Sequence, residues 1–179
     1  MHQRSRRIAL CALLSALGTV LMAAGGLIPI ATYTTPLFAA LLLLPVLHEF
    51  GTGSGVMVWL VTALLALMVS ADREAAALYW VIGWYPIVKP RLDALRPMAL
   101  SMGAKAALFT LAQCVEYALL IWVFQMQSVL EELGGFSLAM NALMILTLTA
   151  VLLIWDRLVG RMELVYVRRL REKLPGMKK

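Results

Sequence analysis

The chain has 179 residues, 62% of them hydrophobic, and a formal net charge of +6. With a mean hydropathy of +0.85, this composition excludes an ordinary soluble domain and indicates an integral membrane protein. A single membrane domain over residues 1–179 leaves no room for a soluble enzyme domain. The positive charge is interpreted as orientation in the lipid bilayer, and no nucleic-acid partner is expected.

The first predicted helix covers about residues 8–28 and follows a cluster of arginines. Arginines before an apolar run also occur in cleavable export signals, but this run is longer than a signal core, so an uncleaved helix is predicted. Small residues recur every three or four positions on one face: Ser5, Ala9, Ala12, Ala16, Thr19 and Ala23, with Cys11, Ser15 and Gly18 on the neighbouring line. Such a seam lets another helix approach closely, either from the same chain or from a partner subunit.

Three shorter helices are predicted next, at about residues 36–47, 55–70 and 75–88. A polar link precedes the first of them, and Pro45 predicts an end or a kink within it. The fourteen residues at 75–88 reach only about 21 Å, less than the roughly 30 Å hydrocarbon core of a bilayer. This helix is therefore expected to be tilted, unwound near Pro86, or shielded by its neighbours.

Two long helices are predicted next, at about residues 98–126 and 136–157, with a turn at 131–135 between them. A basic tail at 158–179 follows and is expected to be helical until near Pro175. The expected fold is an all-α, compact bundle of six transmembrane helices. Such a bundle places fourteen of the 16 lysines and arginines on the side of the N-terminus and only Arg73 on the other. By the positive-inside rule, both termini are predicted to be cytoplasmic in a multi-pass plasma-membrane protein.

Two charged residues fall inside the fifth predicted helix. A charge near the bilayer centre costs about 2.5–3.5 kcal/mol on insertion scales and usually has a partner or a water-filled cavity. Lys105 is interpreted as a lysine that extends back to the inner membrane surface. Glu116 is expected either to line a polar cavity or to make a structural hydrogen bond with another helix. The two residues are about 16 Å apart along the helix axis and cannot pair directly.

Further polar and aromatic residues are expected near the outer ends of the helices, where they would enclose a cavity open to the outside. The candidate substrate-binding residues are Thr32, Tyr33, Thr34, Tyr79, Trp80, Gln113, Glu116 and Asn141. Aromatic walls with a few polar groups suit a small, flat, polar molecule. For Tyr79 and Trp80 the alternative is an anchoring role at the membrane interface.

The sequence contains no catalytic constellation. It has no nucleotide-binding glycine loop, no Ser/His/Asp set, no paired carboxylates in a credible pocket and no metal-ligand spacing. The two cysteines, Cys11 and Cys114, both lie in apolar runs and predict no disulfide. The chain is therefore not expected to be an enzyme, to bind a metal or to need a cofactor.

The opening residues Arg6 to Leu17, the six-helix layout and the chain length resemble the substrate-binding (S) component of an energy-coupling factor transporter. In that family, small residues on the first helix, often spaced Ala-x-x-x-Ala, face a coupling transmembrane subunit. The resemblance implies that Ala9, Ala12 and Ala16 dock on this subunit, since Ala12 and Ala16 have that spacing. The resemblance covers the whole chain in layout and the first helix in motif.

The resemblance also implies a function. A bacterial importer of this family captures a micronutrient, such as a vitamin or its precursor, from outside, and works with the coupling subunit and a pair of cytoplasmic ATPases. The ligand region would be the outer link after the first helix and the outer halves of the last three. Two other classes stay open: a structural scaffold of the rod-shape-determining type, which needs no ligand cavity, and a stand-alone carrier, which usually needs a second half or an oligomer.

Overall fold

The structure, a computed structural model, describes residues 2–26, 28 and 31–170. Every regular element in this part of the chain is helical, which confirms the predicted all-α class there. The helices are α1 (His2–Gly25), α2 (Thr34–Leu41), α3 (Leu43–Phe50), α4 (Thr52–Val69), α5 (Arg73–Ile82), α6 (Tyr85–Asp93), α7 (Met98–Trp122), α8 (Gln127–Gly135) and α9 (Leu138–Val165). A short π-helical segment, Tyr166–Leu170, continues α9.

Among the described residues, four helical stretches are long and apolar enough to cross a membrane: Arg4–Gly25, Thr52–Val69, Met98–Trp122 and Leu138–Arg168. Large apolar side chains project from them, and Met68 and Leu138 are 83% and 88% exposed. An apolar surface of this extent is stable only where lipid or another protein covers it. The chain therefore has the helices of a multi-pass membrane protein.

The second predicted helix is broken into α2 and α3 at Leu42. Pro45 has no N–H group to donate to the carbonyl of Leu41, one helical turn earlier. The N–H of Leu42 instead donates to the carbonyl of Ala39 at 3.1 Å, which tightens the chain at the break. The interruption predicted around Pro45 is found three residues earlier, at Leu42, and the apolar stretch Thr34–Phe50 is longer than predicted.

The fourth predicted helix is likewise divided, into α5 and α6, with a turn at Gly83 and Trp84. Pro86 cannot donate to the carbonyl of Ile82, and the N–H of Ile87 donates to the carbonyl of Trp84 at 2.9 Å. The predicted unwinding near Pro86 is confirmed. The five residues Ala75 to Tyr79 are each no more than 1% exposed, because α5 packs against α2, α4 and α7. The predicted shielding is confirmed as well.

The C-terminal half differs from the prediction in two places. Helix α7 ends at Trp122, and the predicted turn at 131–135 lies inside α8, where Leu130, Glu131 and Leu133 are strong helix formers. Helix α9 continues to Val165, which agrees with the prediction that the basic tail begins as a helix. Residues 171–179, including Pro175, lie outside the described residues.

The largest core cluster has its greatest number of side chains from α5, and α2, α4, α7 and α9 pack around them, with Tyr85 from α6. The Tyr85 ring lies 4.8 Å from the Phe109 ring and 5.5 Å from the Trp155 ring, measured between centroids. Phe109 lies between Lys105 and Glu116 on α7 and is fully buried. This apolar layer therefore separates two polar clusters along α7, one around Lys105 and one around Glu116.

Candidate functional site

The polar link after α1 is fastened to the start of α5. The Thr32 hydroxyl donates to Oδ2 of Asp72 at 2.7 Å, and the Tyr33 hydroxyl donates to Oε1 of Glu74 at 2.5 Å. Asp72 is also the N-cap of α5, since its Oδ1 accepts the N–H of Ala75 at 3.0 Å. Asp72 caps α5 and Glu74 lies in its first turn, so both hold the link against the start of a buried helix.

Glu116 on α7 completes this group, which we call the acidic cluster: Thr32, Tyr33, Asp72, Glu74 and Glu116. Glu116 is 3% exposed and lies close enough to Glu74 and Tyr33 to interact with both electrostatically. No side chain or backbone group in the described ranges hydrogen-bonds to its carboxyl group. A buried carboxyl group without a hydrogen bond is costly for a fold to keep. The structural hydrogen bond to another helix, one of the two expectations for Glu116, is therefore absent there.

The acidic cluster holds an excess of negative charge. Arg73 lies between Asp72 and Glu74 in sequence, but its guanidinium group lies over the Phe124 ring, 6.0 Å from the centroid. The pKa of Tyr33 is raised, first because partial burial disfavours the phenolate and then because Glu74 accepts its proton in a hydrogen bond. Tyr33 therefore stays a hydrogen-bond donor at neutral pH. The cluster offers carboxylate acceptors to a ligand that carries donors or a positive charge.

Gln113 lies one turn before Glu116 but is directed to α9. Its Nε2 donates to the Thr149 hydroxyl at 3.0 Å, and Thr149 also lies 3.3 Å from the Thr110 hydroxyl. The Oε1 atom of Gln113 is buried and has no hydrogen-bond partner among the described residues. Gln113 thus ties α7 to α9 and keeps one acceptor without a partner in the part of the chain described.

The two aromatic candidates on α5 are not part of the acidic cluster. Tyr79 is 1% exposed in the core, and its hydroxyl interacts with Thr62 on α4. The Trp80 ring packs against Trp59, with 5.6 Å between centroids. Both tryptophans line an apolar groove of about 690 Å³ between α4, α5 and α7. Tyr79 is therefore a core residue and not the interface anchor considered as its alternative, whereas Trp80 lines a separate groove.

The two remaining candidates make local contacts. The Thr34 hydroxyl is exposed and donates to the carbonyl of Ala31 at 3.3 Å. Asn141, near the start of α9, donates from Nδ2 to the carbonyl of Leu133 on α8 at 3.0 Å. Of the eight predicted binding residues, the structure thus brings Thr32, Tyr33 and Glu116 together, with Gln113 adjacent.

A second polar group, which we call the ion network, consists of Tyr85, Lys89, Asp93, Lys105 and Asp156. Asp156 accepts from Lys89 at 2.5 Å and from the Tyr85 hydroxyl at 2.6 Å through Oδ1, and from Lys105 at 2.8 Å through Oδ2. Asp93 pairs with Lys89 at 3.0 Å and also with Lys105. The network joins α6, α7 and α9 at the end of the bundle opposite the acidic cluster.

The ion network corrects the interpretation of Lys105. This residue is 6% exposed and paired with two carboxylates, so it does not extend to the membrane surface. Its partner Asp156 was overlooked because it follows a long apolar run and precedes the basic tail in sequence. Two features of the sequence point to it: Lys89 and Asp93 have the spacing of an i,i+4 ion pair, and a lysine within an apolar helix commonly has an acidic partner.

The predicted docking residues on α1 lie on its exposed side. Ala9, Ala12 and Ala16 are all exposed, whereas Ser15 and Gly18 on the neighbouring line are buried. A Cβ added at Gly18 would lie 3.0 Å from Cγ2 of Thr62, so this line packs against α4. The small residues of α1 thus form two lines, one internal and one facing outward.

Comparison of the chain with protein families, with curated proteins and with solved structures gives no match. Within the described ranges, no group of three or more His, Cys, Asp or Glu side chains could hold a metal ion. The chemistry of the chain is therefore argued from its own residues, and the acidic cluster with its unpaired Glu116 is the candidate functional site.

Proposed function

We propose that the chain is the membrane-embedded substrate-capture subunit of an energy-coupling factor-type importer, and that it takes up a micronutrient such as a vitamin or a vitamin precursor. The observation that carries this proposal is Glu116, which is 3% exposed, lies in a long apolar helix and has no hydrogen-bond partner in the part of the chain described. A bare carboxyl group at such a place is by default a functional residue. A substrate supplies the partner that the fold lacks.

The proposed topology has six spans, with both termini in the cytoplasm. The four long helices supply four of them, and α2–α3 and α5–α6 are the two remaining, interrupted spans. An interrupted helix is compatible with a membrane location where protein covers its backbone. Helix α5, the best buried helix of the two interrupted spans, is covered by its neighbours in this way. The proposed orientation follows the basic residues and places the acidic cluster toward the outside, where the substrate enters.

The ligand chemistry follows from the acidic cluster. Glu74 offers carboxylate oxygens and Glu116 a carboxyl group, and the Tyr33 hydroxyl lies between the polar link and α5. A molecule with cationic amine or amidine groups, or with ring N–H groups, would satisfy Glu116, because hydrogen bonds with one ionised partner are the stronger kind. Gln113, one turn earlier on α7, carries a further acceptor, Oε1, that has no partner among the described residues.

Binding to the purified chain tests this proposal. A panel of water-soluble vitamins and their precursors is screened by thermal shift and the hits are measured by calorimetry. We expect Glu116→Gln to weaken binding of the hit by about tenfold or more, since one charge-assisted hydrogen bond is lost. The matched control is Glu131→Gln, which removes an exposed carboxylate in α8 and leaves binding unchanged. If the wild-type chain binds no compound and does not co-purify with an ATPase module, a scaffold role replaces the transport proposal.

The proposed partner surface for the coupling subunit is the outward line of α1. Exposure of Ala9, Ala12 and Ala16 supports this part of the proposal, because small side chains let a partner helix approach closely. The double variant Ala12→Phe, Ala16→Phe should abolish co-purification with the coupling subunit while ligand binding is kept. The control pair is Leu13→Phe, Leu17→Phe, which enlarges neighbouring exposed positions of the same helix. Loss of folding in the alanine variant would mean that the line packs inside the bundle.

A further inference from the structure

A cavity of about 730 Å³ opens beside the ion network, between the start of α7 and the middle of α9. Its polar lining includes Asp93, Arg96, Lys105, Asp156 and Arg157. Its apolar lining includes Met98, Met102, Leu153 and Ile154. Neither the acidic cluster nor the outward line of α1 contributes to this cavity, so its role is independent of the captured substrate.

The charges lining the cavity do not cancel. Asp93 and Asp156 are paired with Lys89 and Lys105, and these four charges sum to zero. Arg96 and Arg157 remain, both exposed. Neither has an ion pair within the described ranges. Two arginines on the rim of one cavity therefore lack a counter-ion.

The first turn of α7 adds to this positive field. Pro97 is its N-cap residue and provides no side-chain cap. The N–H groups of Leu100 and Ser101 donate to the carbonyl of Pro97, at 2.9 and 3.3 Å. The preceding N–H groups, of Met98 and Ala99, have no acceptor among the described residues. Free N–H groups and the dipole at a helix N-terminus favour an anion.

One wall of the same cavity is apolar and open to the surroundings. Met98 and Ile154 are 75% and 69% exposed, and both belong to helical stretches that can cross a membrane. A soluble anion would gain nothing from such a wall. A molecule with a charged head and hydrocarbon chains fits both parts of the cavity.

We propose that this cavity binds the phosphate headgroup of an anionic phospholipid. Arg96 and Arg157 contact the phosphate oxygens, the start of α7 donates from its free N–H groups, and an acyl chain lies along Met98 and Ile154. Basic pockets between transmembrane helices are suited to such headgroups, and the planar guanidinium group matches phosphate in a two-point contact. The ion network forms the rigid floor of this site.

Retention of lipid by the full chain tests the proposal. The protein is placed in phosphatidylcholine bilayers that contain a minor fraction of phosphatidylglycerol, extracted in mild detergent, and its bound lipid is quantified by mass spectrometry. The test variant is Arg96→Gln, Arg157→Gln. The matched control is Arg91→Gln, Arg161→Gln, which removes the same charge from two exposed positions on α6 and α9 outside the cavity lining.

We expect the wild type and the control to retain phosphatidylglycerol in preference to phosphatidylcholine, and the test variant to lose this preference by about tenfold or more. An equal loss in the control would overturn the proposal, because the preference would then come from the net charge alone. Displacement of the lipid by inorganic phosphate at millimolar concentration would overturn it too, since the site would then bind a soluble anion. Unchanged retention in the test variant would place the lipid elsewhere.

Discussion

The ion network and the acidic cluster each include one residue of α7, Lys105 and Glu116 respectively, and they differ in how their charges are paired. In the ion network, two lysines face two aspartates, and Tyr85 donates the additional hydrogen bond that Asp156 accepts. In the acidic cluster, Glu116 lies near a second glutamate and has no hydrogen bond within the described residues. The first arrangement is complete within the chain, and the second requires something from outside it.

This difference separates a structural cluster from a binding site without reference to any related protein. A buried charge pair contributes little net stability, but removal of one partner is strongly destabilising. An unpaired buried carboxyl group is itself a cost, so its removal stabilises the fold or leaves it unchanged. Substitutions in the two clusters should therefore change stability in opposite directions.

Asp156→Asn should have the largest effect. It weakens the contacts to Lys89 and Lys105 together and leaves two buried ammonium groups with only Asp93 between them. We expect a loss of about 3–5 kcal/mol in the free energy of unfolding, measured by thermal and denaturant unfolding in detergent. Asp93→Asn is the control and should cost less, since the Asp93 side chain is 44% exposed. Equal stability of wild type and Asp156→Asn would contradict a structural role of the network.

Glu116→Leu should act in the opposite direction. Leucine fills a similar space without a carboxyl group that needs a hydrogen bond, so we expect the chain to be as stable as the wild type or more stable, by about 1–3 kcal/mol. The free energy of unfolding of this variant is measured in the same way, without ligand. A destabilisation comparable to that of Asp156→Asn would show that Glu116 has a structural partner, and the comparison between the clusters would fail.

Tyr33→Phe should have a smaller effect, because it removes one hydrogen bond at the edge of the acidic cluster. The bond to Glu74 is partly exposed to solvent, so we expect a cost of about 1 kcal/mol in unfolding free energy. Thr34→Val is the control, since its hydroxyl bonds only the nearby carbonyl of Ala31 at 3.3 Å. If both variants behave alike, the link between α1 and α2 is not fastened through Glu74.

The smallest expected effect is the pH dependence of the hydrogen bond between Tyr33 and Glu74. Its folded-state pKa is raised above the ordinary value, which is about 10 for tyrosine. Because the raised pKa means that the folded state holds the proton more tightly, the stability from this hydrogen bond is fully present below about pH 10 and is lost as the pH rises above it. The difference in tyrosinate absorbance between wild type and Tyr33→Phe should therefore appear only above about pH 10. A transition below it would contradict the contact with Glu74.

Much of the helical layout could be predicted from local sequence. Apolar runs indicated α1, α4, α7 and α9, and the missing N–H groups of Pro45 and Pro86 indicated the two breaks. Helix α8 is not predicted, because Gly134 and Gly135 favour the turn expected at 131–135, although the leucine and glutamate before them favour a helix.

The pairing of polar side chains was harder to predict, since it depends on which helices meet. The partners Lys105 and Asp156 are 51 residues apart, and Gln113 bonds Thr149, 36 residues away. Periodicity places a residue on a helix face but does not say which neighbour that face meets. Tyr79 was misjudged for the same reason, because its position near a polar boundary in sequence is covered in the fold by α4.

The burial of α5 has a consequence for how the chain enters the membrane during synthesis. Helix α5 has ten residues and reaches about 15 Å, half of the hydrocarbon thickness. One of the helices that cover it, α7, leaves the ribosome later. The insertion machinery therefore has to retain α5 beside itself, or at the lipid surface, until α7 is made. A nascent chain that ends at Arg96 should leave α5 accessible to aqueous labelling reagents, whereas one that extends through α7 should protect it.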